Sequence, residues 1–219
     1  MSSPPPATAT QLRDEEQSWP VDSSAELASG RIVRLRQDKV RMPDGEQVDR
    51  EVLQHPGAVA VLAVDDAGQV LMIRQYRHPV SRLLWEIPAG LRDVDGEPLL
   101  HAAQRELAEE SGYRADSWHV LADVFTSPGI STERVRVFLA RGLAELPAAE
   151  QTYVRQHEEA HLTVAWMPLD LAVRQVLAGD LHNGVTAIGL LAGYAALRDG
   201  PAALRDGRGA LRPADAPER

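Results

Sequence analysis

The stretch Gly57-Ala58-Val59-Ala60-Val61-Leu62-Ala63-Val64 constrains the fold more than any other part of the chain. A half-exposed strand alternates apolar with polar residues, whereas a run that is apolar at every position is typical of a buried strand. Residues 65–68 turn the chain and residues 70–76 return it as a second strand. Upstream, Val33 and Leu35 alternate with Arg34 and Arg36, Pro43-Asp44-Gly45 is a turn signal, and residues 47–53 favour a strand. A hairpin is therefore expected. Residues 118–125, 134–140 and 162–166 read as further strands. Residues 98–110, with Leu99, Ala103 and Leu107 on one stripe, read as a helix, as do 169–177 and 185–197. Strands, one helix, strands and then helices form an α+β order rather than a regular βαβ alternation.

Both ends differ from this middle. Residues 1–24 are rich in Pro, Ser, Thr and acidic side chains and read as a disordered tail. Residues 199–219 carry Gly, Pro, Arg and Ala without apolar periodicity and read as a flexible tail, leaving a folded domain at 25–198. A chain of 219 residues can bury about 70% of its unfolded surface, enough to fold without staples. It has no cysteine, which excludes disulfides, thiolate zinc sites and cysteine nucleophiles together and fits a reducing cytoplasm. The net charge of −9 argues against a nucleic-acid partner. The longest apolar stretch, 185–197, is interrupted by Thr186 and is too short to span a bilayer, and the N-terminus does not read as a secretory signal. A soluble, cytoplasmic protein with no membrane partner is expected.

The chemistry concentrates on the central helix. In Arg105-Glu106-Leu107-Ala108-Glu109-Glu110-Ser111-Gly112, Glu106 and Glu110 lie one turn apart with Glu109 beside them, within an arc of about 100°. Like charges at this spacing cost a helix a few tenths of a kcal/mol each. The carboxylates therefore either point into water or meet a cation in a groove. Gly90 can let a loop backbone approach a ligand, Arg105 can pin the array, and Gly112 stops the helix.

Together these residues resemble the Nudix box: Gly, five residues, Glu, seven residues, Arg-Glu, an aliphatic, any, Glu-Glu, any, Gly, an aliphatic. The match is complete from Glu97 to Gly112. It departs where six residues separate Gly90 from Glu97 and where Tyr113 takes the last aliphatic position. The resemblance implies a Nudix α/β/α sandwich with a mixed sheet. It makes Glu106, Glu109, Glu110 and the Ala89 carbonyl ligands of Mg²⁺, with Mn²⁺ as the other choice. Such a cation would reconcile an acidic chain with an anionic substrate.

A second set of residues narrows the resemblance. Pro128, in Thr126-Ser127-Pro128-Gly129-Ile130-Ser131-Thr132-Glu133, lies fifteen residues beyond Tyr113. With Gln75-Tyr76-Arg77-His78 and Leu84-Trp85-Glu86-Ile87-Pro88-Ala89-Gly90, it is similar to the ADP-ribose pyrophosphatases, especially actinobacterial ones. That subfamily implies a nucleotide-sugar substrate, ADP-ribose, hydrolysed to AMP and ribose 5-phosphate. It also implies a homodimer with exchanged N-terminal strands. Substrate contacts would come from Arg77 (a phosphate), Glu86 (the adenosine portion), Ser127 and Glu133, and from Arg50 of the neighbouring subunit. The general base would lie in the acidic loop at 156–161, with Glu159 chosen over Glu158.

Three alternatives stand beside this one. The same site could serve another nucleoside diphosphate derivative or an oxidised nucleotide. His157-Glu158-Glu159-Ala160-His161 fits H-E-x-x-H, the zinc-protease motif, with His182 as a third ligand. That motif needs a continuous helix, and the strand read at 162–166 begins at once. A catalytically silent ADP-ribose sensor would need losses in the glutamate array, which is intact. His55, His78, His101 and His119 are scattered and read as structural or surface residues.

Overall fold

The computed structural model describes residues 13–151, 153, 161–198 and 211–218. The chain divides into two units, residues 1–53 and 54–219.

The first unit is a three-stranded sheet of β1 (Val21–Ser29), β2 (Arg34–Arg41) and β3 (Gln47–Gln54), in that order. The hairpin expected around Pro43-Asp44-Gly45 joins β2 to β3. Gly45 donates to the Met42 carbonyl at 2.9 Å with φ at +90°, which glycine adopts without strain. Strand β1 corrects the boundary drawn at residue 25, because it begins inside the stretch assigned to a tail. Its residues are all exposed, so no apolar alternation announces it. Polar pairing fixes it to β2 instead: Arg41 Nη2 donates to Asp22 Oδ1 at 2.7 Å, and Ser24 Oγ to Asp38 Oδ1 at 2.6 Å.

The second unit holds a five-stranded sheet. Its order is β11 (Arg212–Pro213), β8 (Tyr113–Phe125), β9 (Arg134–Glu145), β4 (Ala58–Ala63), β7 (Ala89–Leu91). Strand β4 runs parallel to β9 and antiparallel to β7, so the sheet is mixed. A three-stranded sheet orders β10 (Thr163–Pro168), β5 (Gln69–Arg77) and β6 (Arg82–Glu86). The helices are α1 (Leu99–Ser111), α2 (Leu169–Ala178) and α3 (Gly184–Arg198).

The apolar run explains the layering. Successive side chains of a strand face opposite sides. Ala60, Leu62 and Val64 pack with Leu169, Ala172 and Val173 of α2 and Leu190 of α3. Val59, Val61 and Ala63 pack with Ala102, Ala103 and Leu107 of α1. A strand with a helix layer on each side cannot alternate polar residues, and the result is the expected α/β/α sandwich. Thr186, the polar interruption in the last helix, is buried and accepts the Ile87 N–H at 3.1 Å. Asn183 Oδ1 in turn accepts the Thr186 N–H at 2.9 Å, capping α3. No helix among the described residues is long and apolar enough to cross a membrane.

The C-terminal stretch also corrects its expectation. Residues 211–218 are not a loose tail: β11 pairs with β8, Arg212 opposite Val120. Charge rather than apolar periodicity holds them. Arg136 and the Asp123 carboxylate are buried and joined by two bonds, 2.7 Å from Nε to Oδ1 and 2.9 Å from Nη2 to Oδ2. Arg212 Nη2 adds a third contact to Asp123 Oδ2 at 2.8 Å, and Arg136 Nη1 donates to the Ala216 carbonyl at 2.6 Å. Burial alone would raise the Asp123 pKa, but hydrogen bonds from Arg136 and Arg212 hold it below the ordinary value of 3.8. Because the folded value is depressed, the stabilisation is complete above the unfolded pKa and is lost as pH falls through the folded one. Melting temperature should therefore drop below about pH 4, and Asp123→Asn should be less stable at neutral pH yet flatter across that acid range. A variant as acid-sensitive as the parent would place the pH dependence elsewhere.

Candidate active site

Helix α1 begins after Pro98 and ends at Gly112, whose φ of 77° is left-handed and whose N–H caps the Ala108 carbonyl at 2.8 Å. Its apolar face buries Ala102, Ala103 and Leu107 against β4, which fixes the direction in which the glutamates point.

Arg105 organises the acidic face. It grips both oxygens of Glu97, at 3.2 Å from Nε to Oε1 and 3.0 Å from Nη2 to Oε2. The remaining arm of the fork, Nη1, reaches Glu106 Oε1 at 2.6 Å and Glu109 Oε2 at 3.5 Å. The Arg105 hydrogen bond holds the Glu97 carboxyl below the usual carboxylate range against the opposing effect of burial. Arg105 is itself pushed up, most by Glu97, with burial opposing and the Glu106 charge adding to the shift.

Strand β7 crosses this array. The Ala89 N–H donates to Glu110 Oε2 at 2.8 Å, and Glu110 is buried. One residue on, Gly90 lies so close to Glu106 that a Cβ there would overlap its carboxylate. The glycine is needed for close approach of a side chain, sixteen positions away in sequence. Gly90→Ala should displace Glu106, and a misplacement near 1 Å at a reacting centre costs about 10²-fold. Turnover is expected to fall about 10- to 100-fold with the melting temperature little changed, measured by steady-state kinetics beside thermal melts. Full activity in Gly90→Ala would show that the Glu106 position is not required.

Glu97, Glu106, Glu109 and Glu110 bring hard carboxylate oxygens together beside a backbone strand, a donor set that suits a hard divalent cation rather than a soft metal. Among the described residues, no three carboxylates or imidazoles converge on one point. Glu106 and Glu109 lean towards Arg105 and Glu110 towards the Ala89 N–H.

The other expected site residues fall into separate groups. Arg77 and Glu86 meet each other: Nε lies 3.0 Å from Oε1 and Nη2 2.7 Å from Oε2. The Glu86 side chain is 2% exposed and that of Arg77 42%. Ser127 and Glu133 sit in the β8–β9 loop. The Ser127 carbonyl accepts the N–H groups of Ile130 at 3.0 Å and Ser131 at 2.8 Å. Glu133 accepts the Thr126 hydroxyl. Arg50 is exposed on β3 of the first unit, with Nη1 donating to the Asp49 carbonyl at 3.0 Å. Glu158 and Glu159 lie outside the described residues, as does most of the H-E-x-x-H segment. Strand β10 begins at Thr163, two residues after His161, so a helix through His161 has no room to continue.

Two residues that contact the expected site residues were not themselves counted among them from the sequence. Glu97 holds Arg105, and its place in the motif was the available signal. His55 accepts the Gly57 N–H through Nδ1 at 3.0 Å, which puts its proton on Nε2, 3.7 Å from Glu133 Oε1. Its backbone N–H donates to Thr132 Oγ1 at 3.0 Å. No local pattern marks His55, because its partners lie far along the chain.

Comparison with known proteins gives the family. Residues 54–185 match the NUDIX domain model, and residues 19–53 match that of the nucleoside diphosphate sugar hydrolase N-terminal domain. The chain is 49% identical to an ADP-ribose pyrophosphatase of Mycobacterium tuberculosis over 180 residues, 82% of this chain and 85% of that protein. It is 36% identical to an ADP-ribose pyrophosphatase of Bacillus subtilis, over 75% of this chain and 86% of that one. A crystal structure of an ADP compounds hydrolase superposes with a TM-score of 0.70 at 19% identity, covering 85% of this chain and 98% of its own, which speaks to the fold. With its box folded around Gly90, its sandwich shared and its sequence matched over most of its length, the chain belongs to the Nudix hydrolase family.

Proposed function

We propose that the protein hydrolyses the diphosphate linkage of ADP-ribose, giving AMP and ribose 5-phosphate, with Mg²⁺ held by Glu106, Glu109, Glu110 and the Ala89 carbonyl. The observation that carries this reading is the packing of β7 onto α1, which sets Gly90 against Glu106 and Ala89 against Glu110. Nudix hydrolases generally need a divalent metal, and two relatives named for ADP-ribose supply the substrate. The bound cation would neutralise the diphosphate charge and polarise the phosphorus under attack.

The chain's own residues supply the rest. Glu106 and Glu109 would hold the cation together with Glu110, and Arg105 is anchored beside them by Glu97. Arg77, held in plane by Glu86, offers its exposed side to a substrate phosphate. Glu86, buried with both oxygens on Arg77, serves the substrate through Arg77 rather than by the direct adenosine contact that the resemblance implies. Ser127 and Glu133 line the substrate from the β8–β9 loop. Glu159 takes the proton of the attacking water as the bridging P–O bond breaks. Arg50 comes from a second copy of the chain in a homodimer, and a strictly monomeric species by light scattering would remove it from the site.

Product analysis with Mg²⁺ on a panel of ADP-ribose, NADH, a diadenosine polyphosphate and 8-oxo-dGTP tests the assignment. AMP released chiefly from ADP-ribose is expected. Preference for the oxidised triphosphate would move the protein to nucleotide clearance, and cleavage of peptides alone would restore the zinc reading.

A further inference from the structure

The C-terminal segment takes an unusual path across the sheet. It starts at β11, on the edge strand opposite β7 in the order β11-β8-β9-β4-β7. Arg212 sits beside Val120 of β8, the Ala216 carbonyl accepts from the Arg136 guanidinium Nη1 of β9, and Glu218 reaches Arg92, the residue that follows β7. From β8 to β7 is three strand spacings, about 14–15 Å, which six extended residues can span at about 3.3 Å each. Ala214 and Ala216 pack on the cluster that includes Ala102, Ala103 and Leu107, so the segment lies on the α1 face of the sheet.

Its far end is held by charge. Glu218 accepts from Arg92 Nη1 at 3.4 Å on Oε1 and 3.3 Å on Oε2, and lies 3.9 Å from Arg134 Nε. Arg92 is equally placed to transmit that hold. Its N–H donates to the Gly57 carbonyl at 3.1 Å, and a Cβ at Gly57 would come within 3.1 Å of Arg92 Cδ. Strand β7 needs such bracing: it is three residues long and at the sheet edge, yet it carries the two contacts that position Glu106 and Glu110. One register row runs Asp123, Arg136, Val59, Gly90 across β8, β9, β4 and β7. The buried anchor of the segment and the cradle of Glu106 thus lie in the same row.

We infer that residues 211–218 act as a strap whose Glu218–Arg92 contact positions β7 beneath the carboxylate array, making Glu218 and Arg92 positioning residues for cation binding. The inference rests on the proposed metal site, and its test keeps the two apart. Mn²⁺ affinity is measured by calorimetry on the full chain, alongside thermal melts, for the parent, Glu110→Gln, Glu218→Gln, Glu218→Asp, Arg92→Gln and the Glu218→Gln/Arg92→Gln double variant. Partly exposed ion pairs act modestly, so Glu218→Gln should weaken Mn²⁺ binding roughly three- to fivefold. Arg92→Gln should do the same, the double variant should be no worse than either single one, and Glu218→Asp should recover most of the loss. Parent-like Mn²⁺ affinity in Glu218→Gln overturns the strap even if the melt shifts, because a merely structural contact would show only in the melt. Additive losses in the double variant overturn the proposed coupling. If the parent binds no Mn²⁺, or Glu110→Gln binds it as tightly, the site reading fails and the strap has nothing to position.

Discussion

Glu110→Gln should lower kcat/KM for ADP-ribose by about 10²–10⁴-fold while the protein stays folded, and added Mg²⁺ should restore little of it. The glutamine keeps the shape of the side chain, and its amide oxygen can still accept the Ala89 N–H that now meets Glu110 Oε2 at 2.8 Å. What it loses is the negative charge. On the proposed reading that charge would serve the cation, while Arg105 holds Glu97, Glu106 and Glu109. A large fall in rate with an unchanged melt therefore reads the metal site rather than the fold. Near-normal kinetics in Glu110→Gln and in Glu106→Gln would remove the assignment.

Glu159→Gln should produce a loss of similar size by a different route. A general base contributes about 10²–10⁴-fold, so kcat is expected to fall by that factor with KM changed little. The acid limb of the pH–rate profile should disappear with it, since that limb reports protonation of the base, which can then no longer accept the proton of water. Glu158→Gln should be mild. If Glu158→Gln takes the large loss instead, the register of the loop shifts by one residue. If both variants keep full kcat, the base lies outside this loop.

How much of this could be seen in the sequence depends on the kind of force involved. Strand β4 and helix α1 were legible because burial on both faces and packing on one face each leave a period in the chain. The glutamate array was legible because helical spacing alone places Glu106, Glu109 and Glu110 on one arc. Gly90 was visible as a glycine, but its reason was not: it clears space for a side chain sixteen residues away, and periodicity carries no such information. Strand β1 and the segment around β11 were read as tails because charged and polar bonds, Arg41 to Asp22 and Arg212 to Asp123, hold them where apolar residues are few. The pairing of Arg77 with Glu86 was hidden for the same reason, since both residues were read as facing a ligand.

The most direct test is diffraction from crystals grown with Mn²⁺ and a non-hydrolysable ADP-ribose analogue, using the manganese anomalous signal. The account predicts a peak coordinated by oxygens of Glu106, Glu109, Glu110 and the Ala89 carbonyl at roughly 2.0–2.3 Å, touching the diphosphate of the analogue. A peak held by other residues, with those three carboxylates still turned towards Arg105 and the Ala89 N–H, would contradict it.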